Sequence, residues 1–165
     1  MNKGRKIRCF DYVNRPYDKV CEALRGNTLE VFSAATKAAA TRAESVASTL
    51  HVNLGGFEVG ADIAISVKNI EEEPAKARTG PVTHLQFEWE AAKSPRLFPF
   101  MQADLRVYPL TKSETQLDLA GNYDPPMGPL GTALDAIVGK RIAEASVHRF
   151  MKDVAEYLRM NLPRD

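Results

Sequence analysis

The sequence has 165 residues, of which 44% are apolar and 26% charged, and its 22 basic residues against 21 acidic ones leave a net charge of +1. A chain of this length buries roughly 70% of its unfolded surface, which is enough for one core, so we predict a single domain over residues 1–165. The balanced charge argues against a nucleic-acid partner, and the apolar content excludes a disordered chain.

The sequence also bears on compartment and on metal binding. Charged side chains interrupt the first twenty residues, and no later run reaches the roughly twenty apolar residues of a membrane span, so we predict a cytoplasmic protein without membrane insertion. Cys9 and Cys21 lack a Cys-x-x-Cys spacing and are expected to be buried thiols. His51, His84 and His148 are scattered, so no metal site is predicted.

The first elements are a strand and two helices. Residues 7–14 have the composition of a strand, and Pro16 suits the first turn of a helix, where no backbone N–H is needed. Gly26 and the following Asn end that helix. Thr28 begins a second helix that runs through the alanine-rich residues 34–47.

Residues 49–67 predict a β-hairpin with Gly55-Gly56 as its two-residue turn, because such turns need the positive φ that glycine adopts freely. This register places apolar side chains opposite one another on one face, and the alternation continues beyond the turn. The residues of this face are Leu50, Val52, Leu54, Phe57, Val59, Ala61, Ile63, Ile65 and Val67.

Residues 71–81 are acidic and rich in proline and glycine, and we interpret them as a solvated loop and not as a cation site. Alternating apolar and polar side chains then predict three strands, each with one buried face. They cover residues 84–91, 101–107 and 116–123. The short connections at 94–96 and 111–114 favour sequential antiparallel pairing.

Residues 130–162 predict one long C-terminal helix, interrupted only by Gly139. Its apolar residues form two stripes on nearly opposite sides, one containing Leu134 and Val138 and the other Phe150. We interpret this change of phase as a kink near Gly139. The alternative is that the first half covers a second apolar surface, such as a cavity or a partner chain.

The predicted fold class is α+β, with a curved antiparallel sheet around the long C-terminal helix. This order resembles the helix-grip superfamily of START and birch-pollen-allergen-like proteins, in its bacterial polyketide cyclase/dehydrase-like (SRPBCC) branch. Residues 10–20, at the junction of strand and helix, carry the resemblance together with 121–128, 141–145 and Phe150. It implies six or seven strands, of which the pattern provides six, with two short helices after the first strand.

The resemblance also implies a pocket between the sheet and the C-terminal helix, where relatives hold lipids, polyketides or other apolar molecules. The residues expected to line it are Ile63, Phe87, Trp89, Met101, Leu105, Leu119, Tyr123, Leu134, Val138 and Arg141. A solid core without a cavity is the alternative. Gly121 is expected to leave space beside Tyr123, the main polar candidate, whose hydroxyl needs a partner if buried.

Three functions follow, in order of preference. The first is binding or transport of a small hydrophobic molecule by shape and desolvation, in a monomer or homodimer without cofactor, metal or catalytic residue. The second is a polyketide cyclase/dehydratase-like enzyme, which needs inward-facing titratable groups and has only Tyr123 and Arg141 as candidates. The third is a protein interaction module without a ligand, which predicts an exposed apolar patch.

Overall fold

The computed structural model describes residues 4–49, 63–91, 100–124 and 136–164. Within these ranges the chain forms five strands and three helices. Their bounds are β1 Arg5–Val13, α1 Tyr17–Gly26, α2 Thr28–Thr49, β2 Ile63–Glu73, β3 Val82–Ala91, β4 Phe100–Pro109, β5 Thr115–Asp124 and α3 Ala136–Asn161.

The described strands form one antiparallel sheet in the order β1-β5-β4-β3-β2. The α+β helix-grip class and the sequential pairing of β2 to β5 are therefore confirmed. The first strand lies beside β5, with Cys9 paired to Leu119. Of the predicted hairpin, the turn at Gly55-Gly56 and the rest of residues 50–62 lie outside the described residues, and so does the connection at 94–96.

One face of the sheet, here called the inner face, is covered by α2 and α3 and holds the core. Strand alternation produces this face, because successive side chains of a strand point to opposite sides. Cross-strand pairs then align apolar side chains in rows. One row contains Ile70, Leu85, Leu105, Leu119 and Cys9, and the next contains Val67, Phe87, Ala103, Gly121 and Ile7.

A β-bulge in β2 explains one wrong prediction. The pairing shifts between Val67 and Asn69, which leaves Lys68 as an extra residue, so that Ile70 now packs on the core. As a result β2 continues through Glu73, and its last three residues pair with β3 although we predicted a loop there. The three glutamates are exposed, and Glu72 forms an ion pair with Arg25 of α1. Charged side chains suit a strand that lies at the edge of the described sheet.

The boundary between α1 and α2 is confirmed at Gly26 and Asn27, where the Asn27 N–H donates to Ala23 O at 3.0 Å. In α2 the buried side chains are mostly small, among them Ala35, Ala39 and Ala40. Small side chains allow α2 to lie close against α3.

Helix α2 also accounts for the two apolar stripes of α3. Ile142 belongs to the stripe of Val138, and Val147 belongs to the stripe of Phe150. Both are buried, because α3 packs on α2 as well as on β1 and β5. The second surface is thus another helix of the same chain, which makes a kink near Gly139 unnecessary as an explanation. Among the helices of the described ranges, none combines the length and apolarity needed to cross a membrane.

A buried guanidinium joins the beginning of the fold to its end. Arg15, which follows β1, is 6% exposed, and its Nε donates to Leu162 O at 2.7 Å while Nη2 donates to Arg159 O. Arg159 belongs to the last turn of α3 and Leu162 follows the helix directly, where the chain offers no further helical N–H to their carbonyls. Thr115 Oγ1 donates to Arg15 O at 2.8 Å and attaches β5 to the same point.

Replacing Arg15 with Met retains the aliphatic part of the side chain and removes its donors. We expect urea unfolding to show a loss of about 2–4 kcal/mol, because hydrogen bonds of charged groups contribute about 1.5–3 kcal/mol and the helix carbonyls lose their partners. Arg8→Met is the matched control. Arg8 is 71% exposed in its ion pair with Asp118, so its loss should stay below about 1 kcal/mol. Equal losses in the two variants would contradict the assigned role of Arg15.

A second prediction concerns Gly121, where β5 approaches β4 closely. A Cβ at this position would lie 2.6 Å from Gln102 O and 3.0 Å from Ala103 Cβ, so Gly121 leaves no open space for a side chain, contrary to the expectation. We expect Gly121→Ala to destabilise the fold by about 1–3 kcal/mol in urea unfolding. The control Gly26→Ala meets nothing within 4 Å and should cause no loss. An unchanged Gly121→Ala variant would show that the two strands separate freely.

Candidate functional site: the inner face of the sheet

Most of the predicted ligand-binding residues lie together on the inner face. The buried ones are Phe87, Trp89, Met101, Leu105, Leu119 and Tyr123. Cross-strand pairing aligns Trp89 with Met101, and Met101 with Tyr123, while Ile65 of β2 extends this row on the other side of Trp89. The result is an apolar row across four strands, here called the terminal row.

The terminal row lies at one end of the described part of the sheet. The strand ends Ala91, Phe100 and Asp124 are within two residues of it. Helix α3 runs away from this end, because its Phe150 contacts Trp89 whereas Arg159, further along, binds Asp11 near the end of β1. Helix α3 begins at Ala136, roughly 21 Å before Phe150 at a rise of 1.5 Å per residue, so its first turn extends beyond the terminal row.

The other predicted lining residues have different positions. Val138 is half-buried in the first turn of α3 and packs against the core. Arg141 is exposed, because the helical rotation turns Ile142 and Ala143 inward instead, so the structure does not bring Arg141 to the inner face. Ile63 is the first residue of β2, and its side chain is not among those described; Leu134 lies outside the described residues.

Four aromatic side chains fill the space between the centre of the inner face and the helices. Phe32 of α2, Phe150 of α3, Phe87 and Trp89 form ring contacts with centroid distances of 5.0–5.4 Å. Tilted and offset aromatic pairs of this kind stabilise a core beyond the area they bury. In this part of the interior the structure has a packed core.

Phe32 is the residue of this cluster that the sequence analysis did not assign to the interior. A signal for it exists. The buried positions of α2 after Val31 are Phe32, Ala35, Thr36, Ala39 and Ala40, which follow the i, i+3, i+4, i+7, i+8 spacing of one helix face. The sequence pattern did not show this stripe, because the alanine-rich segment places apolar residues on all sides of the helix.

Polar groups at the other end of the inner face bind each other. Tyr17 Oη lies 2.7 Å from Thr83 Oγ1, and Cys21 Sγ lies 3.4 Å from the same hydroxyl. Burial raises the pKa of Tyr17 to about 12 and also raises the pKa of Cys21. Both groups therefore keep their protons at neutral pH, and the predicted buried thiols Cys9 and Cys21 are confirmed.

Cys9 forms an unexpected pair with the helix α3. Its Sγ lies 3.2 Å from Nδ1 of His148, an exposed residue. Burial, with the carboxylates of Asp11 and Asp118 nearby, raises the pKa of the Cys9 thiol from 9.0 to about 11. The unfolded thiol ionises first as pH rises, so this group's contribution to stability is fully present below pH 9 and is lost as pH rises through about 11. A protonated thiol is a weak nucleophile, and the pair is not arranged for covalent catalysis.

Comparisons with known proteins add the following. No protein-family profile matches the chain, and no curated protein sequence matches it. Similar solved structures include Ara h 8.0201, with 9% identity over 95% of this chain and 99% of that one and a TM-score of 0.43. The Zhui aromatase/cyclase from Streptomyces sp. R1128 has 13% identity over 96% of both chains and a TM-score of 0.45. Norcoclaurine synthase from Thalictrum flavum, solved with dopamine and hydroxybenzaldehyde, has 10% identity over 96% of this chain and 88% of that one and a TM-score of 0.40.

All three are helix-grip proteins of the superfamily that the sequence resembles. The likeness concerns the fold alone. The helix-grip fold of this chain is given by its own order of elements, namely a strand, two helices, an antiparallel meander and a long C-terminal helix.

The pKa of Cys9 predicts its reactivity. In a Cys21→Ala background, where Cys9 is the remaining thiol, we expect iodoacetamide to react at pH 8 about 100-fold more slowly with the folded protein than with the urea-unfolded one. The factor follows from a thiol pKa of about 11 instead of 9.0. Alkylation followed by mass spectrometry measures both rates. Equal rates would mean that the thiol ionises as readily in the folded protein as in the unfolded one, and a control with free cysteine in the same urea corrects for the solvent.

Proposed function

We propose that this protein binds or carries a small hydrophobic molecule, such as a lipid or polyketide, at the terminal row of the inner face. The supporting observation is the continuous row of inward-facing side chains that Ile65, Trp89, Met101 and Tyr123 form across four strands. Apolar surface of this kind contributes affinity by desolvation, at about 25 cal/mol per Å² buried, and requires no reacting group.

The terminal row is favoured over the rest of the inner face for two reasons. The aromatic rings of Phe32, Phe87 and Phe150 occupy the centre, whereas Ile65 is only half-buried at this end of the described sheet. Half-buried apolar side chains beside a buried aromatic provide the surface that a ligand would cover. Tyr123 is the polar side chain of this row, and it would fix the orientation of a ligand that carries one polar group.

The enzyme alternative needs a titratable group that faces the ligand. Among the described residues of the terminal row only Tyr123 has one, so no acid–base pair supports a cyclase or dehydratase reaction. The interaction module has scattered support, because the exposed large apolar residues, such as Phe10, Leu29 and Met160, belong to different elements. The cytoplasmic location and the monomeric or dimeric state stay predictions.

Native mass spectrometry of protein purified from its own host, followed by solvent extraction, tests the proposal directly. A small apolar molecule at about one per chain is the expected result. The sole tryptophan, Trp89, provides a second test, because a neutral fluorescent probe such as N-phenyl-1-naphthylamine bound at the terminal row accepts its excitation energy. An empty protein whose tryptophan transfers no energy to the probe would overturn the proposal.

Two isoleucines provide a matched pair of variants. Ile65 is the half-buried member of the terminal row, and we expect Ile65→Phe to weaken binding of N-phenyl-1-naphthylamine about tenfold by taking the ligand's volume. Ile137 is 67% exposed, so Ile137→Phe should leave the affinity unchanged. Probe titration with urea unfolding of each variant measures both effects. An equal effect of the two variants, at equal stability, would locate the probe elsewhere.

A further inference from the structure

A groove on the solvent side of the helices is lined by basic side chains. It has a volume of about 480 Å³ and is lined by Arg42 of α2 and by Ala145, His148, Arg149 and Lys152 of α3. The four α3 residues follow the i, i+3, i+4, i+7 spacing of one helix face. The small side chain of Ala145 leaves space at the bottom of the groove. Arg42 lies on the neighbouring helix α2 and faces these four residues. The groove is separate from the apolar site proposed above.

The lining residues provide three permanent positive charges and no carboxylate. The acidic residues of the neighbouring turns are partly engaged elsewhere, since Glu144 pairs with Lys140 at 3.7 Å. Glu156 lies 4.0 Å from Lys152. Burial raises the pKa of Asp153, and the nearby positive charge of Arg149 opposes this rise only in part. These acids flank the groove without lining it, so an anion inside meets the guanidinium groups of Arg42 and Arg149 first.

His148 is oriented from below by the buried Cys9. The thiol keeps its proton at neutral pH, and its Sγ lies 3.2 Å from Nδ1, so it can donate its hydrogen to that nitrogen. With the thiol as donor, the imidazole has its own N–H on Nε2, at the other side of the ring and towards solvent. The buried thiol then selects the tautomer whose donor is exposed.

We propose that this groove binds the phosphate group of a phosphate monoester. Arg42 and Arg149 provide planar forks that match phosphate oxygens, Lys152 adds a positive charge, and His148 Nε2–H donates a further hydrogen bond. The volume of the groove is within the range of small-molecule sites. Cys9 acts as a positioning residue through His148.

The test is a titration of the whole protein with inorganic phosphate, with chloride keeping the ionic strength constant and backbone amide NMR signals as the readout. We expect saturable shifts at His148, Arg149 and Lys152. The double variant Arg42→Gln/Arg149→Gln should bind about tenfold more weakly, because it loses both forks. Lys37→Gln removes an exposed charge from α2 outside the groove and should change the affinity by less than about twofold. Non-saturable shifts, or equal losses in both variants, would overturn the proposal.

Cys9 variants test the positioning role through the tautomer of His148, which a change in stability alone does not alter. Nitrogen NMR of the His148 ring should show the Nε2–H tautomer in the native protein and in Cys9→Ser, which keeps a donor. Cys9→Ala should give a mixture of tautomers and weaker phosphate binding. An unchanged tautomer in Cys9→Ala would refute the role of the thiol.

Vesicles distinguish the source of the phosphate. Phosphatidylcholine vesicles with roughly 20% phosphatidic acid present the monoester on a lipid surface. Sedimentation with these vesicles, lost in the double variant, would identify a lipid headgroup. Saturable binding of inorganic phosphate without sedimentation would identify a soluble monoester.

Discussion

The buried guanidinium of Arg15 is the interaction on which the arrangement of the other elements depends. It donates to the carbonyls of Arg159 and Leu162 at the C-terminal end of α3, so one side chain fixes the end of the helix to the end of β1. The backbone carbonyl of Arg15 accepts from Thr115 Oγ1 and attaches β5 to the same point. Arg159 strengthens the same junction from the helix side by binding Asp11 Oδ1 at 2.9 Å. With its last turn held in this way, α3 lies along the inner face, and Phe150 is placed over Phe87 and Trp89.

The alternation of apolar and polar residues predicted the strands well, because a strand has the same two-residue period in the sequence pattern and in the folded sheet. It located β3, β4 and β5 and oriented Trp89, Met101 and Tyr123 inward. It failed beyond Val67, since one extra residue in β2 reverses the phase and no local signal marks the bulge. The same limit applies to Arg15, whose partners Arg159 and Leu162 are distant in sequence and offer only backbone carbonyls.

The interior was less predictable than the strands that surround it. Whether an apolar sheet face encloses a cavity depends on what the helices insert, and Phe32 comes from an alanine-rich helix without a visible stripe. The pair of Cys9 and His148 was equally hidden, because each residue had an ordinary individual interpretation. Pairings between a strand and a helix depend on the angle at which the helix crosses the sheet, and periodicity does not determine that angle.

The pairing of β1 with β5 has a consequence for the order of events during synthesis. In the described sheet β1 has β5 as its strand partner, and more than a hundred residues separate Cys9 from Leu119. During translation the backbone N–H and C=O groups of β1 therefore lack their partners in β5 until almost three quarters of the chain has left the ribosome. Contacts of such high sequence separation fold slowly. The exposed apolar side chains of Phe10 and Tyr12 increase the risk that β1 associates with a wrong strand. The Asp11 carboxylate accepts from the Tyr12 N–H at 2.7 Å, so this backbone donor of β1 is protected from such pairing.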